Sequence, residues 1–119
     1  MDSVRPEIYE AFRKMKEKEY AGADQLLREG LKVVEAAGDP TQTALFYSTL
    51  GVLAKVKGEM KEAWRHYEKA EKLMPEDPSL KIISAKLLIE QFAQYDAAIR
   101  KMRQVLKLAK GSPLYEHQA

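Results

Sequence analysis

Four of the five prolines recur at a near-regular interval. Pro6, Pro40, Pro78 and Pro113 are 34, 38 and 35 residues apart, by subtraction of their numbers. Three of them follow a residue suited to starting a helix: Asp39, Asp77 and Ser112. An N-cap side chain accepts from the free N–H groups of the first turn, and proline at the first helical position has no N–H to leave unpaired. Each proline therefore reads as a helix start, and the interval as that of a repeating helical unit.

A second break falls inside each interval. In the middle copy it is Gly58, in the first it lies near Lys18–Glu19 without a glycine, and in the third near Ala93–Gln94. Each copy is thus helix, short turn, helix, and short turns imply antiparallel neighbours. The spacing predicts helices over about 6–17, 20–37, 41–57, 60–73, 79–92 and 95–109, with a seventh starting at Pro113 and running to Ala119. Apolar residues keep a helical period: Ile8, Ala11, Phe12 and Met15; Tyr47, Leu50, Gly51 and Ala54; Ala63, Tyr67, Ala70 and Met74; Ile99, Met102, Val105, Leu106 and Ala109. No alternating run is long enough for a strand, so the fold class is all-α.

The 119 residues suit one domain, and 45% hydrophobic with 32% charged residues fits a folded chain. The net charge of +2 is too weak to argue for nucleic acid. The charge is uneven: residues 78–119 hold seven Lys/Arg against three acids, +4, which leaves −2 for the rest. With no cysteine there are no disulfides, no thiolate metal sites and no thiol nucleophile. Asp2, Arg5, Glu7 and Glu10 interrupt the start of the chain, so no signal peptide or membrane span is expected, and a cytoplasmic location is the default.

Residues 44–77 resemble one unit of the tetratricopeptide repeat (TPR), W-x2-L-G-x2-Y, then A-x3-F, then P. Tyr47 stands in the Trp position, Leu50-Gly51 matches Leu-Gly, and Ala54 replaces the Tyr. Ala63 matches the Ala, Tyr67 stands in the Phe position, and Pro75 matches the closing Pro. Gly51, Ala63 and Ala70 let helices approach closely, while Tyr47, Leu50 and Tyr67 fill the space around them. The first copy repeats the pattern through Ile8, Ala11, Phe12, Met15, Ala23, Leu27 and Gly30. The third repeats it through Leu80, Ala85, Leu88, Phe92, Ala98, Met102 and Val105. The alternative is a generic amphipathic bundle, against which the proline interval and the middle copy argue.

The resemblance implies a right-handed α-solenoid of three TPR-like repeats, over about 5–38, 40–77 and 78–111, with 112–119 opening a further helix. It implies a protein–protein interaction scaffold whose first helices line a concave groove. That groove would present Tyr9, Arg13 and Lys16, then Ser48, Thr49, Val52, Lys55 and Val56, then Ile82, Lys86 and Ile89. Apolar patches flanked by cations suit a peptide or helix with apolar anchors and acidic flanks. The carboxylate clamp by which some TPR domains hold chaperone C-termini has no counterpart at Tyr9, Arg13, Ser48 and Val52.

Other functions have less support. His66 and Glu62, four residues apart, read as a surface pair rather than half a metal site. No cofactor motif and no catalytic constellation is evident, so an enzyme is not expected. The runner-up is a chaperone, secretion or assembly adaptor that holds an apolar client segment, and a nucleic-acid-binding domain using the basic end is more distant. Ile99, Met102 and Leu106 are expected to be only partly covered. The chain is then either a piece of a longer array or self-associates through that open end.

Overall fold

The structure is a computed structural model that describes residues 5–92 and 95–109. It is all-helical among the described residues: α1 (Pro6–Lys16), α2 (Tyr20–Ala36), α3 (Pro40–Val56), α4 (Met60–Leu73), α5 (Pro78–Phe92) and α6 (Tyr95–Ala109). The six helices expected between Pro6 and Ala109 are present, and their ends fall within one residue of those expected from the spacing. The Ala93–Gln94 break and the helix expected from Pro113 lie outside the described residues.

The prolines start helices as expected. Pro6, Pro40 and Pro78 each open one, and Asp39 Oδ1 accepts from the Gln42 N–H at 3.1 Å. Asp77 Oδ1 takes the Ser79 N–H at 2.9 Å and the Ser79 hydroxyl at 2.6 Å. α1 starts behind Arg5, which makes no such cap.

The chain divides into two compact units, Met1–Leu73 and Met74–Ala119. In the first, α1 packs on α2, α2 on α3 and α3 on α4, with α1 also touching α3. Three identical turns set this arrangement. After α1, the Glu19 N–H reaches Lys14 O at 2.8 Å and the Lys18 N–H reaches Met15 O at 3.0 Å. After α2, Asp39 N–H to Val34 O (3.2 Å) and Gly38 N–H to Glu35 O (3.0 Å) repeat the pair. After α3, Glu59 N–H to Ala54 O (2.8 Å) and Gly58 N–H to Lys55 O (3.0 Å) repeat it again. This is the Schellman closure, which needs one left-handed residue. Gly38 (φ 68°) and Gly58 (φ 83°) supply it, and at the first turn Lys18 supplies it at φ 63°.

The core of this unit is a continuous cluster: Ile8, Ala11 and Met15 from α1, Ala23, Leu27, Leu31 and Val34 from α2, Phe46, Leu50 and Leu53 from α3. Two glycines let the helices close. A Cβ at Gly30 would lie 2.4 Å from Phe46 Cε1, and one at Gly51 would lie 2.4 Å from Tyr67 Cε1. The fit of Gly51 to an aromatic partner is the close packing expected of the middle copy. Phe12 departs from expectation, being 44% exposed. The stripe that α1 buries is Ile8, Ala11 and Met15, and Phe12 falls on its edge, turned toward the side that carries Tyr9.

In the second unit α5 packs on α6. Leu80, Ala85, Leu88, Ala98 and Val105 are buried as expected, together with Leu87. Met102, expected among the packed positions of the third copy, is exposed, as are Ile99 and Leu106. The side chain of Phe92 lies outside the described residues.

Candidate functional site

α3 decides what the first unit can present. It is covered by α1, α2 and α4, so eight of its residues are buried: Thr43, Ala44, Phe46, Thr49, Leu50, Gly51, Leu53 and Ala54. The arc left for solvent is narrow and runs through Ser48, Val52, Lys55 and Val56. Val56 is 52% exposed; Ser48, Val52 and Lys55 are half-buried, and Val52 packs against the core from outside. Thr49, expected on this strip, is 2% exposed, and its hydroxyl donates to Leu45 O at 2.8 Å. With three neighbours on α3, the buried arc is far wider than an amphipathic stripe, and Thr49 falls within its edge.

On α1, which touches α3, Tyr9 is 63% exposed and Arg13 and Lys16 are exposed. Arg13 is not an open cation. Its guanidinium bonds Glu10 and also reaches Glu17 at 3.0 and 3.1 Å. Hydrogen bonding to Glu10 first, then the charges of Glu10 and Glu17, raises its already high pKa further. The Glu10–Arg13–Glu17 trio carries a formal −1. Of the other cations expected on this face, Lys16 is exposed and Lys55 is half-buried.

In the second unit Ile82 and Lys86 are exposed on α5, and Ile83, absent from the sequence-derived strip, is exposed beside them. The side chain of Ile89 lies outside the described residues.

His66 was expected on the surface beside Glu62 and is instead 6% exposed. Its ring stacks on Tyr47 with centroids 6.2 Å apart and planes 26° from parallel. The Tyr47 hydroxyl donates to Glu35 at 3.2 Å, and Lys69 Nζ lies 5.3 Å from the centre of the Tyr47 ring. Glu62 pairs with Arg65 rather than with His66. Burial first, then Arg28 and Lys69, pushes the His66 pKa down, against opposing contributions from Glu62 and Asp24. The imidazole is thereby held neutral.

His66 also lines a cleft of about 400 Å³ that sequence reasoning missed. Its walls are Ala21, Asp24 and Arg28 from α2 and Glu62 and His66 from α4. Its floor is Leu50, Leu53 and Ala54, and Lys57 and Glu59 close one end. The sequence signal was the pairing of polar residues four apart on two second helices, Asp24 with Arg28 and Glu62 with His66. Their lining one cleft is a tertiary fact.

Among the described residues no group of three or more His, Asp or Glu is placed to hold a metal ion, and no helix is long and apolar enough to cross a membrane. Compared with known families and curated proteins, the sequence matches no family model and no curated protein.

Proposed function

We propose that the chain is a non-catalytic scaffold of TPR-like helical hairpins that binds a segment of another protein along the exposed strips of α1 and α3. The observation that carries this reading is the exposure of Tyr9 and Val56 on two touching helices whose remaining apolar residues are largely buried. Large apolar side chains left in water on neighbouring elements mark interaction surfaces more often than catalytic ones. The thrice-repeated turn and the Gly51–Tyr67 fit support the repeat reading from which the right-handed solenoid follows.

The partner segment carries apolar anchors for Tyr9, Val52 and Val56, and an acidic flank that meets Lys16. Within the second unit, Ile82 and Lys86 on α5 also place an exposed apolar residue near an exposed cation. An adaptor that holds an apolar client segment uses the same surface, and a cytoplasmic setting belongs to the proposal. The test is affinity capture with wild type against Tyr9→Glu/Val56→Glu. Both positions are exposed, so the fold survives the change. Partners retained by wild type are expected to be lost, and the groove is misassigned if all of them persist.

α6 favours a second reading for the other unit. Ile99, Met102 and Leu106, spaced along one side of that helix, are all exposed. Self-association through this stripe is the specific alternative. Sedimentation of wild type and Ile99→Glu/Leu106→Glu decides it: a monomer at every concentration in both proteins removes it.

A further inference from the structure

α6 leaves two rows of side chains in water, and the rows run side by side. Ile99, Met102 and Leu106 are exposed, and so are Arg100, Arg103 and Lys107. Each of these cations follows one of the apolar residues in the sequence, so both rows repeat at intervals of three and four. At about 100° per residue, each row keeps within about 60° of the helix circumference. Ala98 and Val105, which α6 buries, fall on the other side of the apolar row from the cations. The apolar row thus lies between the buried side of the helix and a basic edge.

That edge carries one sign of charge. Among the described residues no ion pair holds the side chains of Arg100, Arg103 and Lys107. Asp96 stands at the start of α6, and from Ala97 to Ala109 the helix has no acid. α5 and α6 together hold six Lys/Arg against two Asp/Glu, a formal +4. Apolar residues at intervals of three and four form the seam by which one α-helix packs on another. Unpaired cations along the seam suit a partner helix with acidic flanks. A second copy fits less well. Paired antiparallel, its basic edge meets the same edge of the first copy, and like charges oppose the contact. Paired parallel, each basic edge meets the side that α6 has already buried. A bilayer surface also fits less well, because interfacial helices sink a broad apolar face into the lipid. Here the apolar side is buried already, and a single row is left.

We propose that the α6 stripe docks an acidic amphipathic α-helix of a partner protein, whose apolar row lies on Ile99, Met102 and Leu106 and whose carboxylates meet Arg100, Arg103 and Lys107. The stripe is the one named above for self-association, now with a different occupant. Docking there is independent of the α1/α3 strips and holds whether or not they bind anything.

The test is titration of the full chain with two blocked peptides, followed by amide NMR shifts. One consists of three Leu-Ala-Glu-Leu-Glu-Ala-Glu heptads, and the other has Lys in place of every Glu. The acidic peptide is expected to shift Ile99, Met102, Arg103 and Leu106 saturably. Exposed ion pairs are individually weak, so the basic peptide is expected to bind about tenfold more weakly rather than not at all. Arg103→Glu/Lys107→Glu changes two exposed positions and is expected to reverse that preference. Equal binding of the two peptides, an unchanged preference in the variant, or no saturable shift on α6 would each overturn the proposal. The last includes the case in which another part of the chain already covers the stripe. The proposal also falls if the acidic peptide leaves α6 unmoved and phosphatidylserine–phosphatidylcholine vesicles, or a higher protein concentration alone, shift it instead. Those results would make the occupant a lipid surface or a second copy. The two-peptide comparison needs no variant and so does not depend on one folding.

Discussion

Gly51→Ala tests the closest helix–helix approach in the first unit. A Cβ there would stand 2.4 Å from Tyr67 Cε1, 2.6 Å from Cδ1 and 3.0 Å from Cζ. Non-bonded carbons rest about 3.5–4 Å apart, so the ring must retreat by about 1 Å. Tyr67 is buried between its own helix and α3, and the retreat has to be made by the packed core. Overpacking of this kind costs about 1–3 kcal/mol. Alanine is the better helix former by about 1 kcal/mol, which offsets part of that cost. The net expectation is about 0–2 kcal/mol of destabilisation. Gly22→Ala is the internal control. It also sits in a helix, but a Cβ there meets only the far end of Lys14, at 3.4 Å. That substitution is expected to stabilise by up to about 1 kcal/mol. The two variants should therefore differ by about 1–3 kcal/mol, the overpacking itself. Trp64, the only tryptophan, lies on α4 of the same unit, so its fluorescence during urea unfolding reports on this unit. If Gly51→Ala raises the urea midpoint as much as Gly22→Ala does, the tight α3–α4 approach is not a constraint on the sequence.

Three further outcomes follow from the same geometry. Lys18→Gly relieves a left-handed non-glycine residue at a turn whose two counterparts are glycine, and should stabilise by about 1 kcal/mol in the same urea assay. Asp39→Ala removes the cap on the Gln42 N–H and should destabilise by about 1 kcal/mol in that assay, and an unchanged midpoint would remove the cap as a contributor. Because burial depresses the folded-state pKa of His66, the unfolded chain takes up its proton first. The stabilisation is therefore complete above the ordinary value of 6.5 and is lost as pH falls through and below it. The urea midpoint should drop between about pH 7.5 and about pH 5 more in wild type than in His66→Gln, and equal drops would remove His66 as the cause.

The helix boundaries were readable because they are set locally. Pro40 after Asp39, Pro78 after Asp77, and Gly38 and Gly58 in left-handed turns are single-residue decisions that no tertiary contact overrides. The Lys18 break was readable from position, although the residue gives no conformational hint. The site was less readable, and the reason is the number of neighbours each helix has. α1 has one broad contact side, and its exposed Tyr9, Arg13 and Lys16 could be placed from periodicity. α3 has neighbours on three sides, so the period alone put Thr49 in water. Arg13 shows a second limit. Its charge looked available, but Glu10 and Glu17 lie three and four residues away on the same helix and occupy it. His66 shows a third: a histidine one turn from a glutamate looks like a surface pair until Tyr47, from another helix, covers it.

The breadth of α3's buried arc also restricts where this helix can vary. Two strips of α3 border open space, one carrying Ser48, Val52 and Val56 and the other flooring the cleft with Leu50, Leu53 and Ala54. The floor residues belong to the buried set, so the chemistry of the cleft can vary only through its walls, Asp24 and Arg28 on α2 and Glu62 and His66 on α4. The outer strip is the reverse case: Val56 is in water and can change without disturbing the core, while Val52 packs on the core and cannot. Substitutions that leave the fold intact should therefore fall at Tyr9, Lys16, Ser48 and Val56 on one face and at the wall residues on the other. A variant library selected for folding alone should tolerate polar residues at Tyr9 and Val56 and reject them at Leu50, Leu53 and Thr49-neighbouring Leu45. Acceptance of Asp or Lys at Leu53 at the same frequency as at Val56 would refute the division of α3 into a structural floor and a variable strip.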